Sequence, residues 1–391
     1  MTAIVDRFAS VFDEVGADAI AREHERRLPF DEIELLRAAG FTRVTLPERH
    51  GGAGATHSEL FELLAELARR DPNLAQLFRS HFSYIDRTLH APETPDREAR
   101  LARLAGGAIV GNASHEKSAA KVGTLSTRLE ASAGRQLLTG TKYYSTGTLF
   151  ADLVSVSADT GDALVGVLVP TGATGVTRVD DWTGFGQRMT GSGTTTFDAV
   201  PVAPDDVVRY GARTPSHGGA FVQLVLLAAV TGIGRAIVDD AGDFVRNRTR
   251  TYSHGSAATA KEDPIIQEVV GDLSARSFAA DSALAAAVAA LDRSSRAILA
   301  GRDDSGATIA AVELATARAQ LVILPAVLDA ATALFEVGGA SAVDTGLALD
   351  RHWRNARTIA SHNPARFKAR AVGDHLINRT PIDSWWSTGE A

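Results

Sequence analysis

The chain predicts an α+β fold in three consecutive parts: a helical region, an antiparallel β-domain and a second, longer helical region. Three observations carry this expectation. Apolar residues recur at helical spacing up to about residue 107. Between there and about residue 212, short apolar segments alternate with Gly, Asp and Thr turns, as strands do. Beyond that the helical period returns and holds, so the expected parts are 1–107, 108–212 and 213–391.

In the first part, Thr56 and Glu59 have the spacing of a capping box ahead of Leu60, Leu63, Leu64 and Leu67. Asp71-Pro72 restarts a helix, with the carboxylate as N-cap and proline where its missing N–H costs nothing. Asp31 is expected to cap the helix carrying Ile33, Leu35 and Leu36, which Gly40 ends. Strands are expected at 135–138, 153–158, 164–169, 176–179, 194–197 and 207–209. The last part divides into helices at 218–248, 264–301, 305–338 and 345–376. Helices this long cannot each bury a face alone, which makes a four-helix bundle the economical arrangement.

Composition narrows the function. With 391 residues, 45% hydrophobic and 22% charged, the chain is an ordinary globular one. A net charge of −7 leaves no basic footprint for nucleic acid. No apolar run stands out at the ~20 residues of a membrane helix, so no membrane role is expected. The N-terminus lacks a basic-then-apolar leader, which points to a cytoplasmic location. The absence of cysteine excludes thiolate catalysis and Cys-ligated metals. The histidines show no H-E-x-x-H spacing, no metal site is expected, and His50, His254, His352 and His375 read as surface or boundary residues. Gly232-Ile233-Gly234 resembles a dinucleotide turn but sits in a helical pattern, where close helix packing explains it.

Six segments bear chemistry: 81–84 with His81 and Tyr84, 111–113 with Asn112, and 140–147 with Tyr144 and Ser145; then 181–188 with Trp182 and Phe185, 191–194 with Ser192, and 350–364 with His362 and Asn363. In this order they resemble the acyl-CoA dehydrogenase superfamily along essentially the whole chain. The likeness is greatest to its flavin-dependent monooxygenase branch, that of dibenzothiophene and sulfur-acquisition enzymes. The resemblance implies an N-terminal helical domain, a middle β-domain and a C-terminal bundle that holds flavin phosphate and assembles subunits.

A flavin ring needs flat cover and hydrogen-bonding partners. Trp182 and Phe185 are the expected cover, and Tyr144, Ser192 and Asn363 are further cofactor contacts. Arg250 stands where the family places a basic residue near the flavin phosphate, and guanidinium geometry suits that role. A dehydrogenase also needs a carboxylate base against the ring. His362-Asn363 occupies one of the family's two usual places for it, and the other falls near Gly242, beside Asp243.

The resemblance therefore implies a two-component monooxygenase. It would take reduced FMN, or alternatively FAD, from a separate NAD(P)H:flavin reductase and activate O₂ as a C4a-hydroperoxide. The oxygen would go to a small sulfur, heteroatom or aromatic compound. His362 is expected as acid/base, working near an imidazole's ordinary ~6.5, with Ser145 and Asn112 as its catalytic partners. His81 and Tyr84 are expected to bind substrate, and the assembly to be a homotetramer. The alternatives are a dehydrogenase or nitroalkane-oxidase-like flavoprotein using Asp243, and a flavin-free scaffold.

Overall fold

The computed structural model describes residues 3–117, 121–132, 134–209, 216–250, 252–302 and 306–382. Among these, the N-terminal helices are α1 (Ala3–Gly16), α2 (Ala19–Glu25), α3 (Phe30–Ala38), α4 (His57–Arg70), α5 (Pro72–Leu77), α6 (Arg79–His90) and α7 (Pro95–Ala105). The capping box at Thr56 forms as expected: Glu59 N–H reaches the Thr56 hydroxyl, and the Glu59 carboxylate accepts from Thr56 N–H at 2.8 Å. Asp71 caps α5 by accepting from Asn73 N–H at 2.9 Å. Its other oxygen meets the buried Arg22, which also pairs with Glu32 at 2.9 Å. That pull turns Glu32 inward. The helix α3 consequently starts at Phe30 with Pro29 as its N-cap, and Asp31 lies exposed in the first turn instead of capping.

The sheet is mixed rather than antiparallel. Its strands are β1 (Val110–Ala113), β2 (Arg128–Ser132), β3 (Arg135–Lys142), β4 (Leu153–Asp159), β5 (Leu164–Pro170), β6 (Val176–Arg178), β7 (Thr195–Val202) and β8 (Val207–Arg209). The order is β6-β7-β3-β2-β4-β5-β8, and β1 pairs parallel with β4. A parallel neighbour needs a long crossover, here supplied by the β2–β3 hairpin between β1 and β4. The sequence pattern missed β1 and β2 as strands because both are short and carry polar residues.

The C-terminal part contains α8 (Gly218–Asn247), α9 (Pro264–Leu299), α10 (Ala307–Ala333), α11 (Asp350–Ala360) and α12 (Ala365–Asn378). The expected last helix is thus two helices broken at 361–364, and the third ends at Ala333 in 3₁₀ turns. Two helices, α8 and the stretch Ala307–Val337, are long and apolar enough to cross a membrane, contrary to the expectation from sequence. In α8, 83% of that apolar window is buried inside the protein, against α4, α9 and α10. A side chain at Gly232 would collide with the Ala65 carbonyl, so this glycine permits the close helix packing expected of it. The N-terminal helices and the bundle share one apolar core, while the sheet keeps a separate one around Val154, Val167 and Phe197.

A buried polar knot joins four helices of that shared core. Asp86 of α6 accepts from His57 at 2.8 Å and from His217, the N-cap of α8, at 3.0 Å. His57 also meets Asp292 of α9 at 3.3 Å, and His90 meets Ser295 at 2.8 Å. Asp86, His90 and His217 bring one ligand atom each within 4.8 Å of one another, a grouping that their sequence spacing conceals. His352, expected at the surface or a boundary, is likewise buried and bonds Asp240 at 2.7 Å.

Burial opposes the charge of His57, but Asp292 and Asp86 outweigh it and hold its pKa up to about 9. A raised folded-state value stabilises fully below the ordinary 6.5 and is lost as pH rises towards 9. Unfolding free energy measured by denaturant is expected to fall across that window in the native protein. A His57→Gln variant should show a flatter profile; equal slopes in the two proteins would contradict the assignment.

Candidate active site

The cleft begins with a buried ion pair. Lys142, at the end of β3, reaches Glu116 at 2.7 Å with both side chains out of solvent. Glu116 also accepts from Ser126 N–H, Thr127 N–H and the Thr127 hydroxyl. Burial opposes its charge, yet Lys142 and these donors hold its pKa down to about 2. Tyr143 N–H donates to the His115 carbonyl at 2.9 Å, so residues 114–116 are clamped to the strand end. Tyr144 then turns left-handed at φ 60, a strained conformation for an aromatic residue. Asn112 donates to its carbonyl at 3.4 Å. Next along the chain, the Ser145 hydroxyl is buried with no hydrogen-bond partner among the described residues.

The second wall is the loop 180–193. It is tied to the first by Ser145 N–H to the Gly193 carbonyl at 3.2 Å and Gly147 N–H to the Thr190 carbonyl at 2.9 Å. Gln187 is also left-handed, at φ 51, and its N–H donates to Asn355 of α11 at 2.6 Å. Met189 N–H donates to Asn73 of α5 at 3.2 Å. A Cβ at Gly186 would collide with the Arg354 carbonyl, so glycine lets loop and helix backbones meet. Trp182 donates to the Gly186 carbonyl at 3.3 Å and stands edge-on to Tyr144, with centroids 6.1 Å apart.

The third wall joins α6 to the break between α11 and α12. Arg79 opens α6, donates to the Val222 carbonyl at 3.0 Å and reaches His362 Nε2 at 3.1 Å. Asn363 is fixed by Gln223 at 2.6 Å and Gln320 at 2.7 Å, and its side chain bonds His362. His362 is exposed as a whole residue, but Arg79 covers its Nε2, and the surroundings of the ring nitrogens set its charge. Burial first, then the charges of Arg79 and His115, push its pKa down to about 3. The imidazole is therefore neutral, with Nε2 accepting and the proton on Nδ1. The expectation of a group titrating near 6.5 is corrected accordingly.

Ser145, Asn112, Tyr144, Trp182, His362 and Asn363 thus fall on segments that these contacts tie together, and Asn363 bonds His362. Others do not join them as expected. His81 is fully buried, with Val110 N–H donating to its Nδ1 and its Nε2 meeting the Thr42 carbonyl, so it pins domains rather than substrate. Tyr84 lies about 140° round α6 from Arg79 and is buried beneath Arg87. Phe185 is 54% exposed and stacks on Trp353, leaving Trp182 as the flat cover. The Ser192 hydroxyl is occupied by those of Thr146 and Thr190, both at 2.7 Å. Arg250 lines a separate cavity of about 550 Å³ with Tyr252 and Ser341. It follows the far end of α8, roughly 40 Å along that helix from Val222. Asp243, the alternative base, is exposed near that same end and pairs with Arg246.

Arg79 and His115 escaped the sequence reading. The signal available for Arg79 was the absence of any acidic residue three or four positions to either side.

The acyl-CoA dehydrogenase N-terminal domain model matches residues 2–107 and the C-terminal domain model matches residues 224–367. Dibenzothiophene monooxygenase from Mycolicibacterium goodii is 30% identical, over 91% of this chain and 89% of that protein. The probable FMNH2-dependent monooxygenase SfnC of Pseudomonas putida is 26% identical, over 94% and 93%. The structure of FMN-bound TdsC from Paenibacillus sp. A11-2 superposes with a TM-score of 0.89 at 24% identity, covering 98% of this chain and 100% of that one. The chain belongs to the acyl-CoA dehydrogenase family, alongside its flavin-dependent monooxygenases.

Removing one partner of a buried pair strands the other charge. Lys142→Met should therefore cost about 3–5 kcal/mol of stability by chemical denaturation; a loss within error would deny the pair its role. His362 should show no titration between about pH 5 and about pH 8 by ¹⁵N NMR, its Nδ1 remaining protonated. A midpoint near neutrality would overturn that reading.

Proposed function

We propose that this chain is the oxygenase of a two-component system. It takes reduced FMN from a separate NAD(P)H:flavin reductase and oxygenates a small heteroatom compound, with sulfur the favoured centre. The observation that carries this reading is His362, neutral and bonded to Arg79, in the His362-Asn363 pair that stands where a dehydrogenase keeps a tyrosine and its glutamate base. Glu116, the carboxylate beside His115, is held ionised by Lys142 and is a poor base. Asp243 faces solvent near the other end of α8, which removes the support for a dehydrogenase or nitroalkane oxidase.

The cleft fits a flavin. Ser145 offers a buried, unpartnered hydroxyl, Asn112 an amide beside it, and Trp182 a flat indole. These features also count against a flavin-free scaffold. FMN is favoured over FAD by the name of SfnC and by the FMN bound in TdsC. Reduced flavin supplies the two electrons with which one atom of O₂ enters the substrate and the other leaves as water. Ser145 and Asn112 would hold the ring, and Asn363 orients His362 so that its proton stays on Nδ1. The loop 180–193, anchored to α5 and α11, screens the cleft from water.

Arg250, far from this cleft in its own chain, would serve the flavin phosphate of a neighbouring subunit. A homotetramer accommodates that arrangement. Apolar residues exposed on α9, such as Phe278 at 73%, support burial against a second copy.

The test mixes the protein with reduced FMN and O₂ in the presence of a small organic sulfide. Oxygenated product with little free hydrogen peroxide is expected. Ser145→Ala should weaken binding of reduced FMN by about 2- to 10-fold, the worth of one hydrogen bond. Flavin reduction by an acyl thioester, without oxygenation, would refute the proposal.

A further inference from the structure

The guanidinium of Arg79 is the unusual charge in this cleft. It is half-buried, and no carboxylate lies within ion-pair distance of it among the described residues. Its partners are neutral: the Val222 carbonyl takes Nε–H and the His362 imidazole takes Nη1–H. Among the described residues no hydrogen bond engages Nη2. Burial lowers its pKa, but only to about 10, so the charge persists at any working pH. His362 bonds that guanidinium directly, and the charge also reaches His115. Nearby Lys142 is spent on Glu116.

Arg178 and Arg248 likewise meet backbone carbonyls, but two other buried or half-buried arginines are balanced by acids. Arg22 is matched by Glu32 and Asp71, and Arg235 by Glu62, Glu66 and Asp281. A desolvated cation without a counter-ion is costly unless a ligand supplies one. Guanidinium presents a planar fork suited to two oxygens of an oxyanion. His115 adds a ring that can donate to the same group.

Building on the proposed oxygenase reading, we infer that the substrate is a small organic oxyanion, seated by its charged head on Arg79 and His115. A sulfinate, sulfonate or carboxylate has the required chemistry; a neutral polycyclic heterocycle does not. Arg79 is then a specificity-determining residue, and its open Nη2 faces the ligand rather than the protein.

The experiment compares benzenesulfinate with its neutral counterpart methyl phenyl sulfoxide, each given to the whole protein with reduced FMN and O₂. The ratio of kcat/KM values should favour the anion, and Arg79→Gln should lower that ratio by about 10- to 100-fold, mainly through KM. Arg79→Lys, which keeps the charge but not the fork, should recover part of it and also controls for folding. Reduced-FMN affinity should be unchanged in both variants. An unchanged ratio, or a loss confined to flavin affinity, would overturn the inference while leaving the oxygenase reading intact. If neither compound is oxygenated, the oxygenase reading fails by itself. Calorimetric titration of flavin-free protein with benzenesulfonate then decides the anion site: binding lost in Arg79→Gln supports it, and no binding in the native protein overturns it.

Discussion

The structure depends on holding the loop 180–193 against two helical regions at once. Backbone amides make the attachment: Gln187 to Asn355 of α11 and Met189 to Asn73 of α5. Asparagine is suited to this because its short amide can accept from a main-chain N–H while remaining neutral in a buried place. Gly186 lets the loop approach the Arg354 carbonyl, and Arg354 holds the Phe185 carbonyl in return. Beyond this seam the sheet, which has its own core, meets the helical body's apolar cluster through Val110, Leu153 and Leu168. With the seam, three walls from distant parts of the chain close on one cleft.

Charge inside that cleft follows from what each group is given as a partner. Glu116 and Lys142 neutralise one another and act as a clamp. Among the described residues Arg79 has no such counter-ion, so its repulsion adds to the burial that keeps His362 neutral, and it waits on a ligand for its own balance. Strain collects at the same place, since both Tyr144 and Gln187 sit left-handed at its rim. Such conformations persist only where the surroundings over-determine them, as the ties from Asn112 and Asn355 do here.

Much of this was legible in the chain. Local rules placed the capping box at Thr56, the Asp71-Pro72 restart and the boundaries of β8 and α8, because each depends on neighbours in sequence. Ser145, Asn112, Trp182 and His362 stood in recognisable segments. The errors share a cause. Asp31 lost its cap role to a pull on Glu32 from Arg22, ten residues earlier in the chain, and His81 and Ser192 were claimed by contacts that no spacing reveals. The parallel pairing of β1 with β4 joins residues some forty positions apart.

The sequence by itself determined the order of helical and β parts, the family, and which residue types were available for flavin chemistry. Periodicity and short motifs carry that information because helices and turns are set by residues a few positions apart. Only the tertiary structure decided the charge of His362, the separation of Arg79 from the acids among the described residues, and the distance of Arg250 from this site. These depend on burial and on partners drawn from several helices, and neither is a property of any local stretch of chain.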